Sequence, residues 1–254
     1  MSWDHITAEN LSFSYIRNRP VLNDVNFSIK KNEIITIIGP NGGGKTTLLR
    51  LLAGLLVPDS GSVLINGRPP AENHGIIGYV PQHSGFDRKF PMTVMDVVLS
   101  GLIKNTGFYS SRDKAKTVEA LENTGLLAIK NNQISNLSGG QVQRMLIARA
   151  LVSEKEILLL DEPTSNIDPA AGSQLNSLIK ELGEKLTILL VTHDTGFVGN
   201  ITDRVFCINR TIVEHPVDEH FSKIVASSYG GQSSIVRHEK VSLSDSDTIG
   251  NNDG

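Results

Sequence analysis

Gly39-Pro40-Asn41-Gly42-Gly43-Gly44-Lys45-Thr46-Thr47 decides the reading of this chain. The run before it, Glu33–Ile38, is β-branched and apolar and has the pattern of a buried strand. The run after it, Leu48–Ala53, is helix-forming and closed by Gly54. The glycines therefore sit on a strand-to-helix turn. Without side chains at 42, 43 and 44, the backbone can approach an anion and point several N–H groups at it. The helix N-terminus adds partial positive charge. Lys45 can reach the β- and γ-phosphates of a nucleotide, and the Thr46 hydroxyl can ligate Mg²⁺.

Strand patterns precede the loop at Ile6–Tyr15 and Val21–Ile29, separated by Asn18-Arg19-Pro20. Strands are also expected at Ser62–Asn66 and Ile76–Val80. The stretch from about 86 to 152 changes character and reads as mainly helical, with helices expected over Thr93–Lys104, Ser111–Thr124 and Val142–Leu151. Alternating α/β character returns with Glu156–Leu160, a helix capped by Asp168 and opened by Pro169, and Thr187–Val191. Short strands at Val205–Ile208 and Thr211–Glu214 finish the sheet. The expected organisation is one domain over 1–226 with the helical part inserted, and a polar tail over 227–254, rich in Ser, Gly, Asn and Asp, expected to be disordered.

The bulk numbers narrow the function. The chain has 254 residues, 39% of them hydrophobic and 20% charged, enough for a sizeable core. A net charge of −3 lacks the basic excess of a nucleic-acid binder. No apolar run approaches the roughly 20 residues needed to cross a bilayer, and Met1–His5 lacks the pattern of a secretory signal. The single cysteine, Cys207, is expected in the core and fits a reducing compartment. An intracellular protein is expected, with any membrane role carried by a partner.

Three further stretches carry chemistry. Leu158-Leu159-Leu160-Asp161-Glu162-Pro163 delivers two carboxylates to the end of a buried strand. Asp161 can hold Mg²⁺ through water, and Glu162 can orient or deprotonate an attacking water; the bland alternative is an acidic turn before a proline. His193, just past Thr187–Val191, either contacts a γ-phosphate or is a satisfied histidine at a strand end. Leu137-Ser138-Gly139-Gly140-Gln141 opens a helix and is either a second anion site or an ordinary N-cap, with Arg144 and Arg149 solvated. One nucleotide needs one cradle, so a second one points to the nucleotide of another subunit. Tyr15 offers either strand packing or a flat face for a base.

In this order the stretches resemble the ATP-binding cassette (ABC) ATPases over about residues 5–215. Gly39–Thr47 is similar to the Walker A loop, Leu158–Glu162 to Walker B and Leu137–Gln141 to the signature. The resemblance puts Gln82 at the Q-loop, His193 at the switch histidine, Tyr15 at the base-stacking aromatic and Asp168 in the D-loop, where Asn166-Ile167 departs from the usual Ala-Leu. It implies a P-loop NTPase core with an antiparallel β subdomain and a helical subdomain, and a head-to-tail homodimer holding two ATP. In that dimer Lys45, Mg²⁺, Ser138 and His193 stabilise charge on the γ-phosphate, and Gln82 stands at a hinge and with Thr46 and Asp161 around the metal. Pro81-Gln82-His83, Phe90–Leu99, Val191–Asp194 and Ile208-Asn209-Arg210 are similar to the ATPases of zinc and manganese importers. That implies integral membrane permease subunits, an extracytoplasmic metal-binding protein and a peripheral place on the cytoplasmic face of the inner membrane, with no nucleic acid. The alternative is an iron–sulfur assembly ATPase acting on a scaffold protein, which would lack the Phe90–Leu99 resemblance.

Overall fold

The computed structural model describes residues 4–82, 90–102, 108–165, 167–193 and 201–217. His83, Asn166, Asp194, the segment 103–107 and the polar tail lie outside the described residues. Strands β1 (Ile6–Phe13), β2 (Leu22–Ile29) and β4 (Ser60–Ile65) form an antiparallel sheet in the order β2-β1-β4. A second sheet contains β3 (Ile34–Ile38), β5 (Ile77–Val80), β6 (Ile157–Asp161), β7 (Thr187–Val191), β8 (Arg204–Asn209) and β9 (Thr211–Pro216). Its order is β5-β6-β7-β3-β8-β9, parallel except for β9.

Every residue of β3, β6 and β7 is buried, so both faces of the larger sheet must be covered. Alternation assigns the faces. Ile35, Ile37, Leu159 and Leu189 pack with the antiparallel sheet and with helix α1 (Lys45–Leu52). Ile34, Leu158, Leu160, Ile188 and Leu190 pack against two helices, α4 (Gly139–Leu151) and α5 (Pro169–Gly183). Between β5 and β6 stand α2 (Val94–Leu99), α3 (Ser111–Asn123) and α4. They share a separate core that includes Val94, Val98, Leu121, Ile134 and Met145. Each of the three starts on a capping box, Thr93 with Asp96, Ser110 with Asp113 and Ser138 with Gln141. Among the described residues no helix is long and apolar enough to cross a membrane.

Several boundaries differ from the sequence expectation for physical reasons. The first strand stops at Phe13 rather than Tyr15, because the chain turns over Ile16–Arg19, where the Arg19 N–H donates to the Ile16 carbonyl at 3.0 Å, and the Val21 N–H returns to the Phe13 carbonyl at 2.9 Å. The helix expected over Thr93–Lys104 ends at Leu99, and a Cβ on Gly101 would lie 2.1 Å from the Arg149 carbonyl oxygen, so the chain turns in close contact with α4. α4 begins at Gly139 rather than Val142, because the capping box draws the signature residues into the first turn. Arg144 and Arg149 are not simply solvated: Arg144 donates to the Thr124 carbonyl at 3.5 Å and Arg149 to Ser100 Oγ at 3.1 Å. Cys207 is half-buried beside Ile38 and Val205, and burial pushes its thiol up to about 11.

The separate core of α2, α3 and α4 makes a direct prediction. Leu121 is fully buried in it, so Leu121→Ala should cost about 3 kcal/mol, read as a lower urea midpoint in equilibrium denaturation of the full chain.

Candidate functional site

Parallel strands end at one edge of a sheet, and four of them deliver the sequence-expected residues there. β3 runs into Gly39–Gly44, β5 into Pro81-Gln82, β6 into Asp161-Glu162 and β7 into Thr192-His193. A cleft of about 650 Å³ opens at this edge, lined by Tyr15, Val21, Asn41 to Thr47, Gln82, Glu162 and His193. That volume is in the range of a small-molecule site.

The loop keeps its shape because one position admits no side chain and another takes a conformation that favours glycine. Gly39 has φ 153°, and a Cβ there would lie 2.0 Å from the Ile208 carbonyl oxygen. Gly42 has φ 77° with nothing within 4 Å of an added Cβ, so it faces open space in a left-handed conformation. The turn after β8 clamps the loop from behind: the Arg210 N–H donates to the Gly43 carbonyl at 3.0 Å. Pro40 and Gly39 direct their carbonyls at Lys45, whose Nζ donates to them at 3.1 and 2.9 Å. Burial lowers the Lys45 pKa, opposed by the charges of Glu162 and Asp161.

Thr46 Oγ1 donates to Asp161 Oδ1 at 3.1 Å. Asp161 is 2% exposed; burial raises its pKa and the Thr46 hydrogen bond opposes the rise. A hydroxyl and a buried carboxylate at the end of a phosphate-type loop form the sparse, hard-oxygen donor set that suits Mg²⁺ shared with phosphate oxygens. Glu162 stands beside them with φ 49°. Its Oε2 accepts from Gln82 Nε2 at 2.6 Å, and its Oε1 lies 3.1 Å from His193 Nε2. The Gln82 amide nitrogen is therefore engaged with Glu162.

Tyr15 is 53% exposed, its ring perpendicular to that of Phe13 at 4.9 Å and its hydroxyl 3.4 Å from Thr47 Oγ1. This suits a base platform better than strand packing, since the residue lies beyond β1. Two groups behind the cleft had no place in the sequence reading. Arg50 Nη1 donates to the Tyr15 hydroxyl at 3.5 Å, and Tyr79, paired with Leu159, lies on the face of the sheet that carries Asp161. Burial and the Asp161 charge push the Tyr79 pKa up, so its hydroxyl keeps its proton as a donor. The signal was present in the spacing: Arg50 follows Thr46 by one helical turn.

Ser138, Gly139, Gly140 and Gln141 do not line this cleft. Ser138 Oγ accepts from the Gln141 N–H at 3.3 Å, and Gln141 Oε1 accepts from the Ser138 N–H at 2.9 Å. A Cβ on Gly140 would lie 2.6 Å from Ala171 Cβ, so the signature helix sits directly on the start of α5. Asp168 caps α5, accepting from the Ala171 N–H at 2.9 Å, and lines a second cleft of about 610 Å³ with Ser165 and Ile167. That cleft meets the first at Glu162 and His193.

Comparison with known proteins agrees with this geometry. Residues 22–165 match the family described as ABC transporter. A probable metal transport system ATP-binding protein of Chlamydia pneumoniae is 45% identical over 213 residues, covering 82% of this chain and 87% of its own length. The zinc transport system ATP-binding protein TroB of Treponema pallidum is 42% identical over 233 residues, covering 89% of this chain and 87% of its own. Among solved structures, a dimeric ATP-binding cassette in a post-hydrolysis state with ADP and Pi superposes with a TM-score of 0.71 at 28% identity, covering 84% of this chain and 99% of that one. With the loop, the paired carboxylates and the signature helix in this order on this sheet, the chain belongs to the ABC transporter ATP-binding family.

Proposed function

We propose that the cleft binds ATP with Mg²⁺, that two copies of the chain close head to tail over two nucleotides, and that hydrolysis drives import of a divalent metal ion through a separate membrane permease. The observation that carries the hydrolytic part is the position of Glu162, whose carboxylate stands between Gln82 and His193 on the wall of the loop's cleft. On binding, Lys45 exchanges the Gly39 and Pro40 carbonyls for phosphate oxygens, while the loop N–H groups surround them. Thr46 and Asp161 would hold Mg²⁺, which supplies positive charge beside the β- and γ-phosphates when bound. Glu162 accepts a proton from water as the water oxygen bonds to the γ-phosphorus. The bond to the bridging oxygen breaks in line, and ADP and phosphate leave. His193 contacts the γ-phosphate and Gln82 reports its presence to the helical part.

Ser138 and Asp168 lie away from the chain's own cleft, which supports a role for them at the nucleotide of the second copy. The dimeric form of a similar cassette supports the same arrangement. For the cargo, support comes from relatives that act in metal transport, one of them in zinc transport. Zinc is therefore placed first, before manganese and iron. The chain acts on the cytoplasmic face as a peripheral subunit, and an extracytoplasmic metal-binding protein supplies the permease.

Purified Glu162→Gln should lose steady ATP turnover by a factor of about 10² to 10³ yet bind ATP and dimerise with it, measured by phosphate release and light scattering. Normal turnover would remove Glu162 from the base role. Cells depleted of the chain should lose zinc uptake, restored by wild type and not by Glu162→Gln. Loss of manganese or iron uptake instead would correct the ion. Unchanged uptake of all three would leave the ATPase reading standing and point to another cargo or to action on a soluble scaffold.

A further inference from the structure

α4 and α5 pack against each other and share a core that includes Leu146, Ile147, Leu175, Leu178 and Ile179. At their starts the side chains shrink. Gly140, buried, is the second residue of α4, and Ala171 is the third residue of α5. A Cβ on Gly140 would lie 2.6 Å from the Ala171 Cβ and 3.7 Å from the Ala171 Cα. Among the described residues beyond its own helix and chain neighbours, it would meet nothing else within 4 Å. The first distance is too short for two carbon atoms, and the second is ordinary contact. A single methyl group, that of Ala171, therefore leaves room for glycine and for nothing larger. The spacing of packed helices follows the side chains at their contact, so this pair sets how closely the two helix starts approach.

Each start carries a residue placed above at the nucleotide of the second copy. Ser138 caps α4, accepting from the Gln141 N–H at 3.3 Å. Asp168 caps α5, accepting from the N–H of Ala171 itself at 2.9 Å. The path from Ser138 to Asp168 runs through two capped first turns and the Gly140–Ala171 contact, and crosses no loop.

We propose that Ala171 is a positioning residue that acts through Gly140: the pair fixes the spacing between Ser138 and Asp168, so that both reach the second copy's nucleotide together. The inference rests on the ATP and head-to-tail dimer reading above. Restoring ordinary contact after adding a Cβ at 140 would move one helix start by about 1 Å. A displacement of about that size takes a donor out of hydrogen-bond reach.

The test reads dimerisation by sedimentation of the full-length Glu162→Gln chain with Mg²⁺ and ATP. Urea titration of each variant checks that it is folded in the assay, so that a shift reports placement. Gly140→Ala in that background should raise the chain concentration for half-dimerisation about tenfold. Adding Ala171→Gly removes the opposing methyl and should return it to within about threefold of the parent. Ala171→Val enlarges the same contact from α5, outside the signature, and should shift dimerisation in the same direction as Gly140→Ala. Unshifted dimerisation in folded Gly140→Ala or Ala171→Val overturns the proposal. A shift in Gly140→Ala that persists with Ala171→Gly also overturns it, since the added Cβ then acts on the nucleotide rather than on α5. The two readings fail separately. A parent that does not dimerise with ATP overturns the dimer reading and this one with it, whereas a dimerising parent with unshifted variants overturns only this one.

Discussion

Two-sided burial of the central strands is the constraint on which the rest depends. β3, β6 and β7 carry only buried residues, and such strands are stable only when both faces of the sheet are covered. The antiparallel sheet and α1 cover one face, and α4 and α5 the other. Because the strands are parallel, their carboxyl ends fall on one edge, and polar residues emerging there share a cleft without any long connection. Chemistry is confined to the few positions where buried strands release the chain to solvent. The signature helix is placed by the opposite requirement, since its inner side covers the sheet and its start must emerge elsewhere.

Within the cleft, charges are arranged for an arriving anion. Lys45 is largely buried and satisfied by two carbonyls of its own loop. Those contacts keep the ammonium in place while no phosphate is present, so little rearrangement is required when phosphate oxygens replace them. Asp161 is buried with a hydroxyl donor and two neighbouring cations in its field, Arg50 and Lys45. Glu162 is half-exposed and tied to two side chains that come from other strands. The two adjacent carboxylates thus occupy different surroundings: one is enclosed, and the other reaches into the cleft between movable partners.

Much of this was legible in the sequence because burial writes its own pattern. Ile34–Ile38, Ile157–Leu160 and Thr187–Val191 are runs of apolar residues interrupted only by Thr36 and Thr187, and the polar residues immediately after them line the candidate site. Asp168 before Pro169 was legible as a cap for the same local reason. What escaped depended on contacts between distant residues. The early end of α2 follows from the approach of Gly101 to Arg149, which no local periodicity encodes. Tyr15 read as the last residue of a strand because alternation does not reveal where the chain turns away from the sheet. Arg50 and Tyr79 were passed over because the spacing of Arg50 from Thr46 does not say where that helix face docks until the pairing of Tyr79 with Leu159 is known. The signature residues read as a cap and are a cap.

The left-handed backbone at Glu162, with φ 49°, has a consequence for any attempt to improve this molecule. That region disfavours residues bearing a Cβ by about 1 kcal/mol, and glycine is free of the penalty. Glycine at 162 would shed that strain, but it would also remove the carboxylate's contacts to Gln82 and His193. The strain is held in place by the same contacts that aim the carboxylate, and a stabilised cassette that still works must gain its margin elsewhere in the chain.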